Sequence, residues 1–169
     1  MRKILFATVV IFCIVLTACK DDNKNNSNLV QLKPQVPNLQ TIRNDYMEFH
    51  NSGALQKQRE EIYAKATQDL QKRIANNEGN EKLAVVFDID ETILSNWHLF
   101  KVTQFSQSPK LFDTWTLEAK DTVIPSAKKF YNMATRNDVT VFFITGRGPN
   151  ERAATVENLN NVGITQYKK

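Results

Sequence analysis

Apolar and polar residues follow one another in blocks that predict helices and strands in turn. Leu83 to Phe87 is an uninterrupted apolar run, which favours a strand buried on both faces of a parallel sheet. A second run, 139–144, predicts another strand of the same kind. Between them Pro125 opens a helix whose inward residues are Ala127, Phe130, Tyr131 and Ala134. This order of elements predicts an α/β architecture with right-handed crossovers.

Further helices are predicted on both sides of these strands. Two precede the first strand, at 39–50 and 54–75, and Ser52-Gly53 separates them. Apolar residues recur every four positions in the longer helix and predict one inward stripe: Ile62, Ala66, Leu70 and Ile74. The last helix should begin at Pro149 and end at Gly163, with an inward face of Ala153, Val156, Leu159 and Val162. The residues after Gly163 are typical of the start of a third strand.

The stretch between the first strand and the Pro125 helix is less regular and rich in aromatic residues. These are Trp97, Phe100, Phe105, Phe112 and Trp115. We expect most of them to fill a core, with Trp97 the best candidate to stack on a bound ring. His50 and His98 have no partner at metal-ligand spacing, so we expect surface or structural histidines.

The first residues predict export and a lipid anchor. Arg2 and Lys3 precede an apolar segment, 4–16, that is too short to span a bilayer comfortably. The sequence Leu16-Thr17-Ala18-Cys19 resembles a bacterial lipobox, in which Cys19 is acylated; an ordinary secretory signal is the alternative. We therefore expect a lipoprotein signal peptide at 1–18, a flexible Asn-rich tether at 19–38 and one domain at 39–169. The expected location is the bacterial cell envelope, at the outer membrane or the cell surface.

Charge and composition describe an ordinary globular domain. The chain has 41% hydrophobic and 24% charged residues, and its net charge is +4. Without Arg2 and Lys3 the mature chain keeps 20 basic and 18 acidic residues, which gives no case for nucleic-acid binding. Cys13 lies in the segment to be removed, so no disulfide is expected in the domain.

Polar residues follow both predicted strands. Asp88 and Asp90 come directly after the first strand, and Thr145-Gly146-Arg147 comes after the second. Ligands of open α/β sheets bind at the carboxyl ends of the strands, where these residues should meet. Because side chains alternate along a strand, Asp88 and Asp90 should project the same way. Two carboxylates this close indicate a cation or a shared proton between them.

This set of residues suits chemistry on a phosphoryl group. One carboxylate can attack phosphorus to form an aspartyl-phosphate, and a second can protonate the leaving oxygen and activate water. The Thr145 hydroxyl and the Gly146 N–H could hold phosphoryl oxygens. Mg²⁺ prefers a few protein oxygens, so the Asp88 carboxylate and the Asp90 carbonyl are its candidate ligands. Arg147 fits either substrate binding or pairing with an acid such as Glu151, whereas Glu91 is expected to be structural.

Asp88-Ile89-Asp90-Glu91-Thr92 and Thr145-Gly146-Arg147 resemble the first and second motifs of the haloacid dehalogenase-like (HAD-like) phosphatases. Over about 39–167 the chain is similar to their acid phosphatase subfamily, which includes bacterial class C lipoproteins and plant vegetative-storage relatives. The resemblance implies a partial Rossmann-like parallel sheet, N-terminal helices and a small cap insertion at about 93–124. It also implies that Asp88 is the nucleophile and Asp90 the general acid/base, both at the Mg²⁺ site. Thr92, Thr145, Gly146 and Arg147 would then belong to the substrate-binding and phosphate-binding loops.

One departure from the family's pattern bears on function. The third-motif lysine and fourth-motif acidic pair of these phosphatases have no clear counterpart before Lys169, so we expect an amino-terminal part or a truncated product. The leading hypothesis is a membrane-anchored phosphomonoesterase for small phosphomonoesters, nucleotides among them. The alternative is a non-catalytic surface lipoprotein that keeps the fold for binding or storage. A two-metal nuclease ranks last, because it leaves the Thr145-Gly146-Arg147 loop unexplained.

Overall fold

The computed structural model describes residues 38–79, 81–106 and 108–168. Its helices are α1 (Leu39–Asn51), α2 (Ala54–Ala75), α3 (Trp97–Val102), α4 (Pro109–Leu117), α5 (Pro125–Arg136) and α6 (Arg152–Asn161). Its strands are β1 (Ala84–Phe87), β2 (Leu94–Ser95), β3 (Thr122–Val123) and β4 (Thr140–Phe143). None of the described helices is long and apolar enough to cross a membrane. Cys19, the predicted signal peptide and the tether up to residue 37 lie outside the described residues.

The predicted α/β arrangement is confirmed. Strands β1 and β4 pair in parallel, with Ala84 opposite Thr140 and Phe87 opposite Phe143. Helix α5 lies between them in sequence, begins at Pro125 as predicted and packs against α2. Its buried apolar residues are those predicted to face inward, and they meet β1 and β4 in the core. This packing removes apolar surface from water, which stabilises the pairing of the two strands.

The prediction that both faces of the strands are buried is wrong for the described residues. Val86 is 58% exposed and its cross-strand partner Phe142 is 40% exposed, while Ile144 beyond β4 is 70% exposed. The alternate residues Phe87 and Val141 are buried in the core with α5. A continuous apolar run is compatible with one covered face or two, so the pattern could not distinguish them.

The inward stripe of α2 is only partly the predicted one. Ala66, Leu70 and Ile74 pack against the core, but Ile62 is 58% exposed. Tyr63 takes its place: its ring lies 5.9 Å from the ring of Phe130, centroid to centroid. A step of three residues keeps a helical position on the same face as well as a step of four does.

Helix α6 buries only part of the predicted face: Leu159 is buried and Val162 packs against the core, as predicted. A 3-10 turn, Pro149–Glu151, precedes it, and its buried residues are Ala154, Thr155, Asn158 and Leu159. Ala153 is exposed, and Val156 and Val162 are only half-buried. The pattern failed here because Thr155 and Asn158 are buried through hydrogen bonds, which a count of apolar positions does not register.

The end of α6 agrees with the sequence, but the strand expected after it does not form in the described residues. Gly163 adopts a positive φ of 77°, and the N–H of Ile164 donates to the Leu159 carbonyl at 2.8 Å. Residues 164–168 carry no strand, although the Lys168 N–H donates to the Val141 carbonyl at 2.8 Å.

A two-residue antiparallel ladder joins the ends of the irregular segment. Leu94 pairs with Val123, and Ser95 pairs with Thr122. The residues between them carry α3 and α4 and form the region that we call the cap (residues 96–121). The ladder therefore fixes where the cap leaves and rejoins the domain.

Candidate active site

The chain turns sharply after β1, and the acidic residues that follow this strand lie in the turn. The Ile89 carbonyl accepts N–H bonds from Thr92, Ile93 and Leu94 at 3.3, 3.0 and 2.9 Å. The Ile89 side chain is buried and anchors the turn in the core. Asp90 therefore belongs to a turn and not to the strand, so the alternation of β1 does not set the direction of its side chain.

Asp90 is held by groups from two other segments. Arg147 Nη2 and Nε donate to its Oδ1 and Oδ2 at 2.6 and 3.0 Å, and Asn96 Nδ2 donates to Oδ1 at 2.9 Å. The Asp90 side chain keeps 23% of its surface exposed. The loops that follow β1 and β4 are thus in direct contact, at the edge of the sheet where the sequence predicted them to meet.

Asp88 differs from Asp90 in its surroundings. It is exposed, and its carboxylate has no hydrogen bond or ion pair to any residue that the structure describes. A carboxylate without a neighbouring donor is available to an incoming ligand or cation.

Glu91 and Thr92 tie the turn to the rest of the domain. The Glu91 carboxylate accepts from Arg59 Nη2 and from the Asn96 N–H, both at 2.5 Å, in line with the structural role predicted for it. The Tyr63 hydroxyl donates to the Thr92 carbonyl at 2.7 Å. Burial raises the pKa of Tyr63, although nearby Arg59 opposes this, so the phenol remains a donor at neutral pH.

The loop after β4 presents backbone groups and one hydroxyl. Thr145 is half-buried, and its Oγ1 accepts the Arg147 N–H at 3.2 Å. Gly146 is exposed, and a Cβ built on it would meet no atom within 4 Å. The backbone at Gly146 is therefore open to the approach of a ligand.

Arg147 is buried instead of reaching out from this loop. Its side chain is 1% exposed, and its Nη2 also donates to Asp121 Oδ2 at 2.9 Å. Burial would lower the pKa of Arg147, but hydrogen bonds and charge from Asp90 and Asp121 outweigh it and raise that pKa. Of the two roles left open by the sequence, the contacts match pairing with acids. The acids are Asp90 and Asp121; Glu151 instead accepts from the Thr116 hydroxyl and the Gly148 N–H.

Asp121 is the member of this cluster that the sequence did not reveal. Its side chain is completely buried, and it accepts hydrogen bonds from Arg147 and from the Trp115 indole N–H. Burial raises the pKa of Asp121, and the hydrogen bonds from Trp115 and Arg147 oppose that rise. An aspartate before a short strand usually belongs to a turn, so only its burial distinguishes this one.

The aromatic residues of the cap pack mostly on one another and on α1. The Trp97 ring stacks on His50 at 3.5 Å, and Phe105 meets Tyr46 edge-on at 5.3 Å. His98 stacks on Trp115 at 5.3 Å. Phe100 and Phe112 instead border a cavity of about 350 Å³ that also reaches Gly146 and Arg147. Trp97 is thus a packing residue here, and Phe100 and Phe112 are cap rings that share a cavity with the loop after β4.

The oxygen donors at this edge suit a hard cation but are few. The described residues contain no cluster of three or more His, Cys, Asp or Glu side chains able to hold a metal. The Asp88 carboxylate, free of protein partners in the described structure, and the Asp90 backbone carbonyl are hard oxygen ligands. Such a pair fits Mg²⁺, which keeps several waters and binds substrate phosphate.

Comparison with known proteins places these motifs in a family. Residues 12–169 match the family model described as HAD superfamily, subfamily IIIB (acid phosphatase). Acid phosphatase 1 of Solanum lycopersicum is 34% identical over 89 residues, which cover 50% of this chain and 34% of that protein. The stem 28 kDa glycoprotein of Glycine max is 30% identical over 97 residues, which cover 54% of this chain and 37% of that protein.

Solved structures give the same result for the fold. The class C acid phosphatase from Bacillus anthracis matches with a TM-score of 0.66 and 25% identity, over 77% of this chain and 55% of that one. A structure of the Bacillus anthracis enzyme with tungstate bound matches with a TM-score of 0.62 and 27% identity, over 77% and 54%. The chain thus spans about a third of these curated relatives and about half of these solved chains.

Proposed function

Because this chain belongs to subfamily IIIB of the HAD superfamily, the acid phosphatase subfamily, we propose that it hydrolyses small phosphomonoesters. The observation that carries the proposal is the contact between the two strand-end loops through Asp90 and Arg147. Phe87 pairs with Phe143, so the exposed Asp88 carboxylate and the open backbone of Gly146 both follow the same end of the paired strands. A nucleophile and oxyanion donors are therefore available at one edge of the sheet.

The proposed reaction has two steps. In the first, an Asp88 carboxylate oxygen bonds to phosphorus as the ester P–O bond breaks, and Asp90 gives a proton to the leaving alcohol. In the second, water attacks the aspartyl-phosphate while Asp90 takes its proton, which releases phosphate and restores the Asp88 carboxylate. Thr145 and the Gly146 N–H would hold the phosphoryl oxygens, and Thr92 would keep the first loop in place.

Two further features of the site are part of the proposal. The Asp88 carboxylate and the Asp90 carbonyl would hold Mg²⁺, which would offset the charge of the phosphate dianion near two carboxylates. The tungstate bound to the Bacillus anthracis relative supports an oxyanion as the ligand class. Nucleotides are among the candidate phosphomonoesters.

An aryl phosphate assay tests the proposal. The full chain should release the phenolate in the presence of Mg²⁺, and Asp88→Asn should reduce turnover by about a hundredfold or more, as expected when a nucleophile is lost. Asp45→Asn, an exposed acid on α1, is the matched control and should behave as wild type. Equal turnover by wild type and Asp88→Asn would remove Asp88 from the mechanism. Phosphate binding without any turnover would favour the alternative of a non-catalytic binding module.

We also propose that the protein is exported and held at the cell envelope by acylated Cys19. Positive residues, a short apolar segment and small residues before this cysteine support the proposal. Cys19→Ala should abolish incorporation of labelled fatty acid and release the protein from the membrane fraction. Cys13→Ala is the control, since it changes the other cysteine of the chain and should leave labelling intact. Persistent labelling of Cys19→Ala would refute the anchor.

A further inference from the structure

We propose that Asp121 is a positioning residue, which acts through Arg147 to fix the orientation of Asp90. Asp121 lies at the end of the cap, directly before β3, whereas Arg147 lies in the loop after β4. The kinetic part of this proposal rests on the proposed function, but its spectroscopic part does not. In this role neither Asp121 nor Arg147 needs to touch the substrate.

The backbone of Asp121 is fixed from helix α6. Asn158 Oδ1 accepts the Asp121 N–H at 2.9 Å, and Asn158 Nδ2 donates to the Asp121 carbonyl at 2.8 Å. Both residues are buried. Since both backbone polar groups are bonded to one rigid side chain, the Asp121 carboxylate has a defined place in the domain.

Each oxygen of the Asp121 carboxylate has its own donor. The Trp115 indole N–H donates to Oδ1, and Arg147 Nη2 donates to Oδ2 at 2.9 Å. Arg147 Nη2 also donates to Asp90 Oδ1, and Arg147 Nη1 donates to the Thr155 hydroxyl at 3.2 Å. The planar guanidinium is thus held along three directions, and its Nε is left facing Asp90.

Removing the Asp121 charge should disturb this arrangement in a predictable way. In Asp121→Asn the new amide has one oxygen and one NH₂ group, but the native carboxylate faces two donors. The NH₂ group must therefore lie against either the Trp115 indole or the Arg147 guanidinium. In either orientation Arg147 is held less firmly, because it loses its contact or keeps only a neutral amide oxygen in place of a carboxylate. We therefore expect the Arg147–Asp90 pair to become mobile.

The first readout is independent of activity. The ¹⁵N-resolved Nε–H signal of Arg147, identified by its loss in Arg147→Lys, should exchange slowly with solvent in the wild-type chain, because it is buried and bonded to Asp90. Asp121→Asn should speed this exchange about tenfold or more. Glu118→Gln, an exposed cap residue three positions away, is the control and should leave it unchanged. An unchanged exchange rate and chemical shift in Asp121→Asn would overturn the proposal.

A rescue variant separates positioning from a general loss of structure. Adding Trp115→Phe to Asp121→Asn removes the second donor, so the amide oxygen can turn to Arg147 without a clash. The double variant should recover slow Nε–H exchange relative to Asp121→Asn, although it carries more substitutions. If Asp121→Asn alone does not fold, the double variant is compared with wild type, and its Nε–H should then exchange about as slowly as in wild type. Exchange as fast as in Asp121→Asn, or faster, would contradict the proposal.

The second readout is kinetic and uses the aryl phosphate assay. Per folded molecule, Asp121→Asn should lower kcat about tenfold with KM within about twofold of wild type, since it affects Asp90 and not substrate contacts. An unchanged kcat per folded molecule would refute the positioning role. If the wild-type chain shows no turnover that depends on Asp88, the proposed function fails, and the Nε–H measurement alone decides the role of Asp121.

Discussion

Replacing Asn158 by alanine should destabilise the domain strongly, although this residue carries no charge. The side chain is 1% exposed and makes two hydrogen bonds to Asp121, at 2.9 and 2.8 Å. Asn158→Ala leaves a buried N–H and a buried C=O without partners. Each such group costs about 1–3 kcal/mol.

We therefore expect Asn158→Ala to lower the free energy of unfolding by about 2–4 kcal/mol, because water entering the vacated space restores part of the lost bonding. Equilibrium urea denaturation followed by far-ultraviolet circular dichroism measures this quantity. Asn160→Ala is the matched control: Asn160 is exposed on the same helix and its side chain has no hydrogen bond to any described residue, so the change should stay within about 0.5 kcal/mol. If both variants unfold within about 1 kcal/mol of wild type, the hydrogen bonds to Asp121 do not carry the weight assigned to them.

Three other changes test separate parts of the structure. Glu151→Gln replaces a buried carboxylate that accepts from Thr116 and Gly148, and it should lower the free energy of unfolding by about 1–3 kcal/mol in the same denaturation assay. Because the pKa of Tyr63 is raised in the folded state, its contribution to stability is fully present below pH 10.0 and is lost as pH rises through the folded-state pKa. Tyr63→Phe should therefore lose less stability at alkaline pH than wild type does. Equal losses in the two proteins would contradict this. Chelation with EDTA should reduce aryl phosphate turnover about tenfold or more, and added Mg²⁺ should restore it; turnover that survives chelation would exclude the proposed cation.

The sequence predicted well what depends on local pattern. The break at Ser52-Gly53, the start of α5 at Pro125 and the capping of α6 by Gly163 are confirmed, because proline and glycine act on the backbone directly. The parallel pairing of β1 and β4 and the meeting of their polar loops follow from the α/β order of elements. The roles of Asp88, Asp90, Thr92, Thr145 and Gly146 stay predictions.

The failures have a common physical cause. The burial of Asn158 and Asp121 depends on partners far away in sequence, so periodicity predicted only part of the inward face of α6 and gave Asp121 no role. Charge alone could place Arg147 beside an acid, but Glu151 is the nearer candidate in sequence, whereas the actual partners are Asp90 and Asp121. Burial of the second sheet face likewise depends on which elements cover it, and apolar runs such as 84–87 carry no such information.

The ladder between β2 and β3 has a consequence for how this protein can change. Because Leu94 lies beside Val123, the chain departs from and returns to neighbouring points, and residues in between can be lengthened, shortened or exchanged without moving β1 or β4. Such exchange is limited by the cap residues that bond outside the cap. Asn96 bonds to Asp90 and Glu91, and Thr116 bonds to Glu151. Asp121 bonds to Arg147 and Asn158. A transplanted cap that ends in an aspartate at position 121 should keep Arg147 and Asp90 in place. A cap without this aspartate would bring new contacts near the site but would hold Asp90 less firmly.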